Sequence, residues 1–170
     1  MSKENNNAHS GGSTTTGGFT SIVGGGRDDR LIGTAGSDAI DGRAGNDYLS
    51  GGAGNDTLTG GGGFDQFALK NGGGHDIITD YQPGEDIFFT FGYMTNNTGD
   101  PVHDSAPHNL SVGEQIVSSE GHVLTIGEDS TGSVTLTWET GDSLTLQGVH
   151  AADVSSSALC FYPTDLGWQF

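Results

Sequence analysis

Between Gly24 and Thr79 the apolar residues fall at a fixed interval of nine: Leu31, Ile40, Leu49, Leu58 and Phe67, then Ile78 after a two-residue insertion, Leu69–Lys70. That interval fits neither a helix nor a long strand, whose faces repeat every 3.6 and every 2 residues. It predicts strands about three residues long, each with its middle side chain turned inward. The six residues between successive strands must then be turn. Two such units make one coil of eighteen residues, so that units two apart stack on the same side and the apolar residues of the two sides face each other. After Phe88 the pattern changes to alternation. Segments 86–91, 122–126, 133–139 and 143–146 read as strands separated by Gly, Asp, Ser and Asn turns. No stretch predicts a long amphipathic helix, and only 151–159 reads as a short one.

The polar positions are as regular as the apolar ones. Written from Gly24, the units are GGGRDDRLI, GTAGSDAID, GRAGNDYLS, GGAGNDTLT, GGGGFDQFA and, from Asn71, NGGGHDIIT. A degenerate seventh follows, in which Pro83–Phe88 keeps the Gly-x-Asp-x-apolar core. Position six is always aspartate: Asp29, Asp38, Asp47, Asp56, Asp65 and Asp76. Position four is glycine except in the first unit, where Arg27 stands; if that position requires a left-handed backbone, Arg27 costs about 1–2 kcal/mol. Glycines in the first half of each unit suit turns with positive φ. A single aspartate in a turn most often caps it. Six in strict register behind glycines point instead to a repeated site.

These units resemble the hemolysin-type, or RTX, calcium-binding repeat, G-G-x-G-x-D-x-U-x, over about residues 24–79. The resemblance implies an all-β fold, a right-handed parallel β-roll of nonapeptide repeats capped by a C-terminal β-strand region. It also implies a ligand set of position-six carboxylates with backbone carbonyls from positions one and three of one turn and two and four of the turn above. The carboxylates are Asp29, Asp38, Asp47, Asp56, Asp65 and Asp76. Position one is Gly24, Gly33, Gly42, Gly51 and Gly60, and position three is Gly26, Ala35, Ala44, Ala53 and Gly62. Stacking would pair Asp29 with Asp47 and Asp47 with Asp65 on one edge, and Asp38 with Asp56 and Asp56 with Asp76 on the other. That accommodates about four Ca2+ ions, each in an oxygen cage of six to eight ligands. The end sites, beside Arg27 and beside the Leu69–Lys70 insertion, should be weaker than those around Asp47 and Asp56.

Composition agrees that apolar burial alone does not hold this chain. Of 170 residues 31 are glycine, and only 32% are hydrophobic, both unusual for a globular core. Asp and Glu number 22 against 5 Lys and Arg, a net charge of −17, and no basic residue follows Lys70. Such a field repels nucleic acid and anionic membranes and favours cations. The single cysteine, Cys160, excludes an internal disulfide framework. No apolar run is long enough to span a bilayer, so no membrane insertion is expected. His103 and His108 flank Asp104 in a Pro-containing loop, without zinc-protease spacing. No G-x-S-x-G elbow occurs, and no catalytic residue or enzymatic activity is expected.

The expected organisation is a flexible polar tail or linker over 1–20, a calcium-binding roll over 21–90, and an acidic β-rich cap over 91–170. The N-terminus lacks the apolar core of a secretory signal peptide. The tail 158–170, aromatic and acidic, reads either as a closing strand or as the C-terminal type I secretion signal that the resemblance implies. A secreted, extracellular calcium-binding module follows, with the type I secretion machinery as partner during export. An alternative is a module binding an extracellular polysaccharide or a surface, with Phe88, Phe89, Phe91, Tyr93 and Trp138 read either as core or as a sugar-stacking face. An ice-binding roll is disfavoured, because position three carries Gly and Ala rather than a rank of threonine.

Overall fold

The computed structural model describes residues 12–16, 18–70, 73–82, 86–90, 109–117 and 123–161. Its strands are β1 (Gly12–Thr16), β2 (Phe19–Val23), β3 (Arg30–Ile32), β4 (Asp38–Asp41), β5 (Tyr48–Ser50), β6 (Thr57–Thr59), β7 (Gln66–Lys70), β8 (His75–Ile78), β9 (Asp86–Thr90), β10 (Gln115–Val117), β11 (Val123–Glu128), β12 (Val134–Trp138), β13 (Ser143–Leu146) and β14 (Leu159–Phe161). Where one short helix was expected, two single 3-10 turns occur, Ala151–Asp153 and Ser156–Ala158.

Successive repeat strands alternate between two sheets. One sheet holds β2, β4, β6 and β8, the other β3, β5, β7 and β9, and every neighbouring pair among them is parallel. The result is a parallel β-roll of about three coils. The nine-residue apolar rank becomes two facing ladders. Ile22, Ile40, Leu58 and Ile78 lie in register on one side, and Leu31, Leu49 and Phe67 on the other. None of the seven is more than 4% exposed. The Leu69–Lys70 insertion lengthens β7 to five residues without breaking either ladder, and Leu69 is itself buried.

The coil begins earlier than the Asp rank does. Thr20 lies in register with Asp38, and Ile22 with Ile40, so β2 is a degenerate first unit with threonine in the aspartate position. β1 folds back antiparallel along β2, with Gly12 opposite Val23. A strand therefore stands within the stretch expected to be tail, and it covers an edge that would otherwise present unpaired backbone groups.

The other end is closed by the alternating segment. β13 adds parallel to β8, placing Leu144 opposite Asp76 and Leu146 opposite Ile78, both leucines fully buried. β12, β11 and β10 continue that sheet as an antiparallel meander, while β14 adds parallel to β9. One continuous core runs through roll and cap, and Trp138 belongs to it at 8% exposure, which excludes that ring as a sugar-stacking platform. His103, His108, Asp104, Phe91, Tyr93 and the tail beyond Phe161 lie outside the described residues, as do the side chains of Phe88, Phe89 and Cys160.

Candidate metal centre

Each position-six aspartate sits where a turn enters a strand, so its side chain points into the roll at the rim of the core. All six are 1–6% exposed. They form two columns, Asp29–Asp47–Asp65 and Asp38–Asp56–Asp76, held by a regular ladder. The N–H of Asp29 donates to Asp47 Oδ1 at 2.8 Å and that of Asp47 to Asp65 Oδ1 at 2.8 Å. In the second column the N–H of Asp38 donates to Asp56 Oδ1 at 2.8 Å and that of Asp56 to Asp76 Oδ1 at 2.9 Å. Thr20 extends this column, its N–H donating to Asp38 Oδ1 at 3.1 Å.

One carboxylate oxygen is thus accounted for in Asp38, Asp47, Asp56, Asp65 and Asp76, whereas Asp29 Oδ1 is buried without a partner. The Oδ2 atoms divide into two groups. Asp47 Oδ2, Asp56 Oδ2 and Asp65 Oδ2 are buried without a hydrogen-bond partner, an arrangement that costs roughly 1–3 kcal/mol for a neutral group and more for a charged one. Nearer the start of the array the oxygen is capped by its own turn. Gly25 N–H donates to Asp29 Oδ2 at 2.6 Å, and Thr34 donates to Asp38 Oδ2 from its backbone N–H and from its hydroxyl.

The position-one glycines show where the orphan oxygens point. A Cβ on Gly42 would lie 2.5 Å from the carbonyl oxygen of Gly60 and closer still to Asp47 Oδ2. A Cβ on Gly24 would meet Gly42 O at 2.5 Å and Asp29 Oδ2 at 3.0 Å. At Gly33 the same atoms recur, Gly51 O and Asp38 Oδ2, and at Gly51 and Gly60 the Oδ2 of Asp56 and of Asp65. Beside Gly24, Gly33 and Gly42, then, a carboxylate oxygen and a backbone carbonyl of the next coil stand close together. Donors of their own turns satisfy Asp29 Oδ2 and Asp38 Oδ2, whereas Asp47 Oδ2 has none, and a cation would make its place beside the Gly60 carbonyl favourable. Position three lies at the rim instead: Gly26, Ala35, Ala44 and Gly62 are exposed and Ala53 is half-buried, with Ala44 and Gly62 bridged in parallel.

Electrostatics point the same way. Burial, opposed by the hydrogen bond from the Asp29 N–H and reinforced by the charges of Asp65, Asp29 and Asp28, pushes Asp47 up to about 6. Burial likewise raises Asp56 to about 6, against the hydrogen bond from the Asp38 N–H and with the charge of Asp38. Asp76 is raised to about 7, by burial first and then by the charges of Asp56 and Asp142. Asp65 is raised by burial, with Asp80 as the neighbouring charge. These carboxylates resist ionisation in the folded chain without a counterion. A site of hard oxygens only, carboxylate and carbonyl mixed, fits calcium, which accepts such sets at about 2.3–2.6 Å in flexible geometry. No group of three or more His, Cys, Asp or Glu side chains that could hold a metal stands together among the described residues, so an ion between these turns would depend on backbone carbonyls beside the carboxylates.

Two features were not legible in the repeat. Position five forms a second, outer ladder. Asp28 Oδ1 accepts from the Asn46 N–H at 2.8 Å, Asn46 Oδ1 from the Phe64 N–H at 3.0 Å, and Asn55 Oδ1 from the His75 N–H at 3.0 Å. Its only signal in the sequence is the run of Asp, Ser and Asn at that position. The second feature concerns strain. Arg27 has no left-handed backbone; among the described non-glycine residues that conformation belongs to Arg43, φ 74°, at position two, where Gly52 and Gly61 have φ of 103° and 99°. The cost anticipated for Arg27, about 1–2 kcal/mol, falls on Arg43 instead.

Comparison with known proteins agrees with this geometry. A family model described as RTX calcium-binding nonapeptide repeat (4 copies) matches in three overlapping windows, residues 14–49, 23–58 and 32–67. The first window begins upstream of Gly24 and takes in the degenerate unit around Thr20. No curated protein matches the chain. Among solved structures, the AlgE6R2 subunit of the Azotobacter vinelandii mannuronan C5-epimerase is similar at 26% identity and TM-score 0.50, over 84% of this chain and 92% of that one. The AlgE6R3 subunit of the same enzyme is 28% identical, over 85% and 83% of the two chains, with TM-score 0.39. Over residues 14–67, about a third of its length, this chain matches the RTX calcium-binding nonapeptide repeat.

Proposed function

We propose that the chain is a calcium-dependent folding module of a secreted protein, without catalytic activity of its own. The observation that carries this reading is the buried, unpartnered Oδ2 of Asp47, Asp56 and Asp65, the first of them facing a carbonyl of the next coil. Bound calcium would be held by Asp29, Asp47 and Asp65 in one column and by Asp38, Asp56 and Asp76 in the other, with carbonyls of positions one to four. About four ions fit, two per column. When bound, calcium supplies the positive charge that lets these carboxylates ionise inside the roll. The chain's own part is to present the oxygens in register and to close the core above and below them.

Without the ion, the glycine-rich backbone has little to offset its ordering entropy. Calcium in a cell is scarce and outside it plentiful, so the chain would stay unfolded for export through a type I channel and fold on arrival. RTX repeats occur in secreted proteins, and no helix among the described residues is long and apolar enough to cross a membrane. The organisation that goes with this reading is a polar leader before the first coil, the roll to about residue 90, and a β-rich cap that ends in the export signal. The test is a calcium titration of the metal-stripped chain at neutral pH, followed by circular dichroism and hydrodynamic radius. A largely disordered chain should become compact and β-rich at roughly 10⁻⁴–10⁻³ M calcium. A metal-stripped spectrum identical to the calcium-bound one would refute the reading.

A second reading, contact with a polysaccharide, is favoured by one outward face. Arg30 stacks 4.8 Å above the ring of Tyr48, and Phe64 is 68% exposed. Both border a cavity of about 270 Å³ lined also by Asp28, Asn46 and Gln66 and, at its floor, by Asp29 and Asp47 of the first column. Glycan binding that disappears in Phe64→Ala, while calcium-induced folding persists, would support it. Undiminished binding would exclude this face.

A further inference from the structure

We propose that Asp80 is a calcium ligand, completing a site above Asp65 at the end of the first column. The inference rests on the calcium reading above and extends it to a residue outside the repeat consensus. Beside Gly24, Gly33 and Gly42 an aspartate Oδ2 stands with the position-one carbonyl of the next coil on the same side, as Asp47 Oδ2 and Gly60 O do beside Gly42. On the coil above Gly60, position one is no longer glycine. Around a Cβ placed on Gly60 the nearest atoms are Asp65 Oδ2 and Cγ, and the third, at 3.0 Å, is Phe67 Cζ. Asp65 Oδ2 is nonetheless buried, without a partner, and turned toward Gly60.

Asp80 fills that place. It follows Gly60 by twenty residues, one coil of eighteen plus the two-residue insertion, and so occupies position one of the seventh unit; the pairing of Phe67 with Ile87 puts Asp86 at position seven, one place away from the Gly-x-Asp-x-apolar alignment expected from the sequence. Its carboxylate lies across the same glycine pair, Oδ1 accepting from the Gly60 N–H at 2.9 Å and Oδ2 from the Gly61 N–H at 2.7 Å. Both carboxylates therefore converge on Gly60, one from its own turn and one from the coil above. Each Asp80 oxygen keeps a lone pair beyond the one its N–H donor uses. A carboxylate there adds a charge that a backbone carbonyl does not carry. A capping role alone accounts for the two N–H bonds, but not for the orphan Asp65 oxygen beside them.

The experiment counts ions. The calcium-saturated full-length chain and its Asp80→Asn variant are compared by native mass spectrometry, with circular dichroism on the same samples. Asparagine keeps an acceptor for the Gly60 N–H and removes the charge. The variant is expected to bind one calcium fewer with an unchanged β spectrum. An equal number of ions would reduce Asp80 to a cap and overturn the proposal. A second measurement needs no variant: in the unmodified chain the ¹³Cγ resonance of Asp80 should shift on calcium binding together with that of Asp65, and a stationary Asp80 resonance overturns the assignment even if the variant does not fold. If the unmodified chain binds no calcium, the calcium reading itself fails, an outcome distinct from a chain that binds calcium without Asp80.

Discussion

Acidifying the metal-stripped chain from about pH 8 to pH 5 should restore part of the fold that calcium otherwise supplies. The magnitude follows from the buried aspartates. Asp47 and Asp56 rise from 3.8 to about 6, and Asp76 from 3.8 to about 7. Each unit corresponds to about 1.36 kcal/mol, so ionisation at neutral pH costs the calcium-free fold about 3 kcal/mol at each of the first two and about 4 kcal/mol at the third. The sum, about 10 kcal/mol, is an upper value, because Asp56 and Asp76 stand in one column and a single proton relieves both. It is still comparable to the whole stability of a small domain, about 5–15 kcal/mol. The direction is fixed by linkage. A carboxylate whose pKa is raised on folding binds more protons folded than unfolded, so stability is greatest below the unfolded value of 3.8, falls as pH rises from there to the folded values near 6 and 7, and is constant above them; at pH 5 about half of the sum, about 5 kcal/mol, is regained. In the presence of a chelator and at fixed ionic strength, β-type circular dichroism should therefore appear as pH falls from about 7 to 5. A chelated chain whose spectrum is the same at both ends of that range, or that loses β signal on acidification, would show that these carboxylates are not buried charges awaiting a counterion.

Further outcomes test the same geometry. Calcium and protons compete for these oxygens, so the calcium midpoint should be higher at pH 5.5 than at 7.5, with proton release measurable by calorimetry in buffers of different ionisation enthalpy; equal midpoints contradict the raised values of Asp47, Asp56 and Asp76. Asp47→Ala and Asp56→Ala each remove a carboxylate with aspartates on both sides of it, and each should raise the midpoint about tenfold or more and blunt cooperativity, at about 1.5–3 kcal/mol for a charged hydrogen bond; Asp29→Ala, at the end of its column, should do much less, and three equal titrations would favour independent sites. Gly42→Ala puts a Cβ 2.5 Å from Gly60 O and should abolish calcium-induced folding, whereas Gly26→Ala, with nothing within 4 Å, should leave it intact. Magnesium, which requires near-octahedral geometry at about 2.0–2.1 Å and keeps its water, should not drive folding at millimolar concentration; a magnesium-folded chain would contradict a wide carbonyl cage.

The sequence by itself determined the roll. A stacked solenoid pairs residues at a constant separation, and the nine-residue rank of Leu, Ile and Phe carries that separation openly, together with the Asp rank that falls beside it. The two aspartate columns and the alternation of strands between two sheets follow from arithmetic on eighteen residues. Tertiary structure decided what has no period. β13 was readable as a strand, but alternation says only which side chains are buried, and its parallel partner β8 lies 68 residues earlier, opposite His75–Ile78. Thr20 entered the aspartate rank because register with Asp38, and not residue type, assigns the position. Leu144 closes the second column because β13 presents an apolar side chain where the next aspartate would stand. Asp80 escaped the repeat reading for the converse reason: its carboxylate reaches the Gly60–Gly61 pair only because the insertion and the coil bring residues twenty apart into contact.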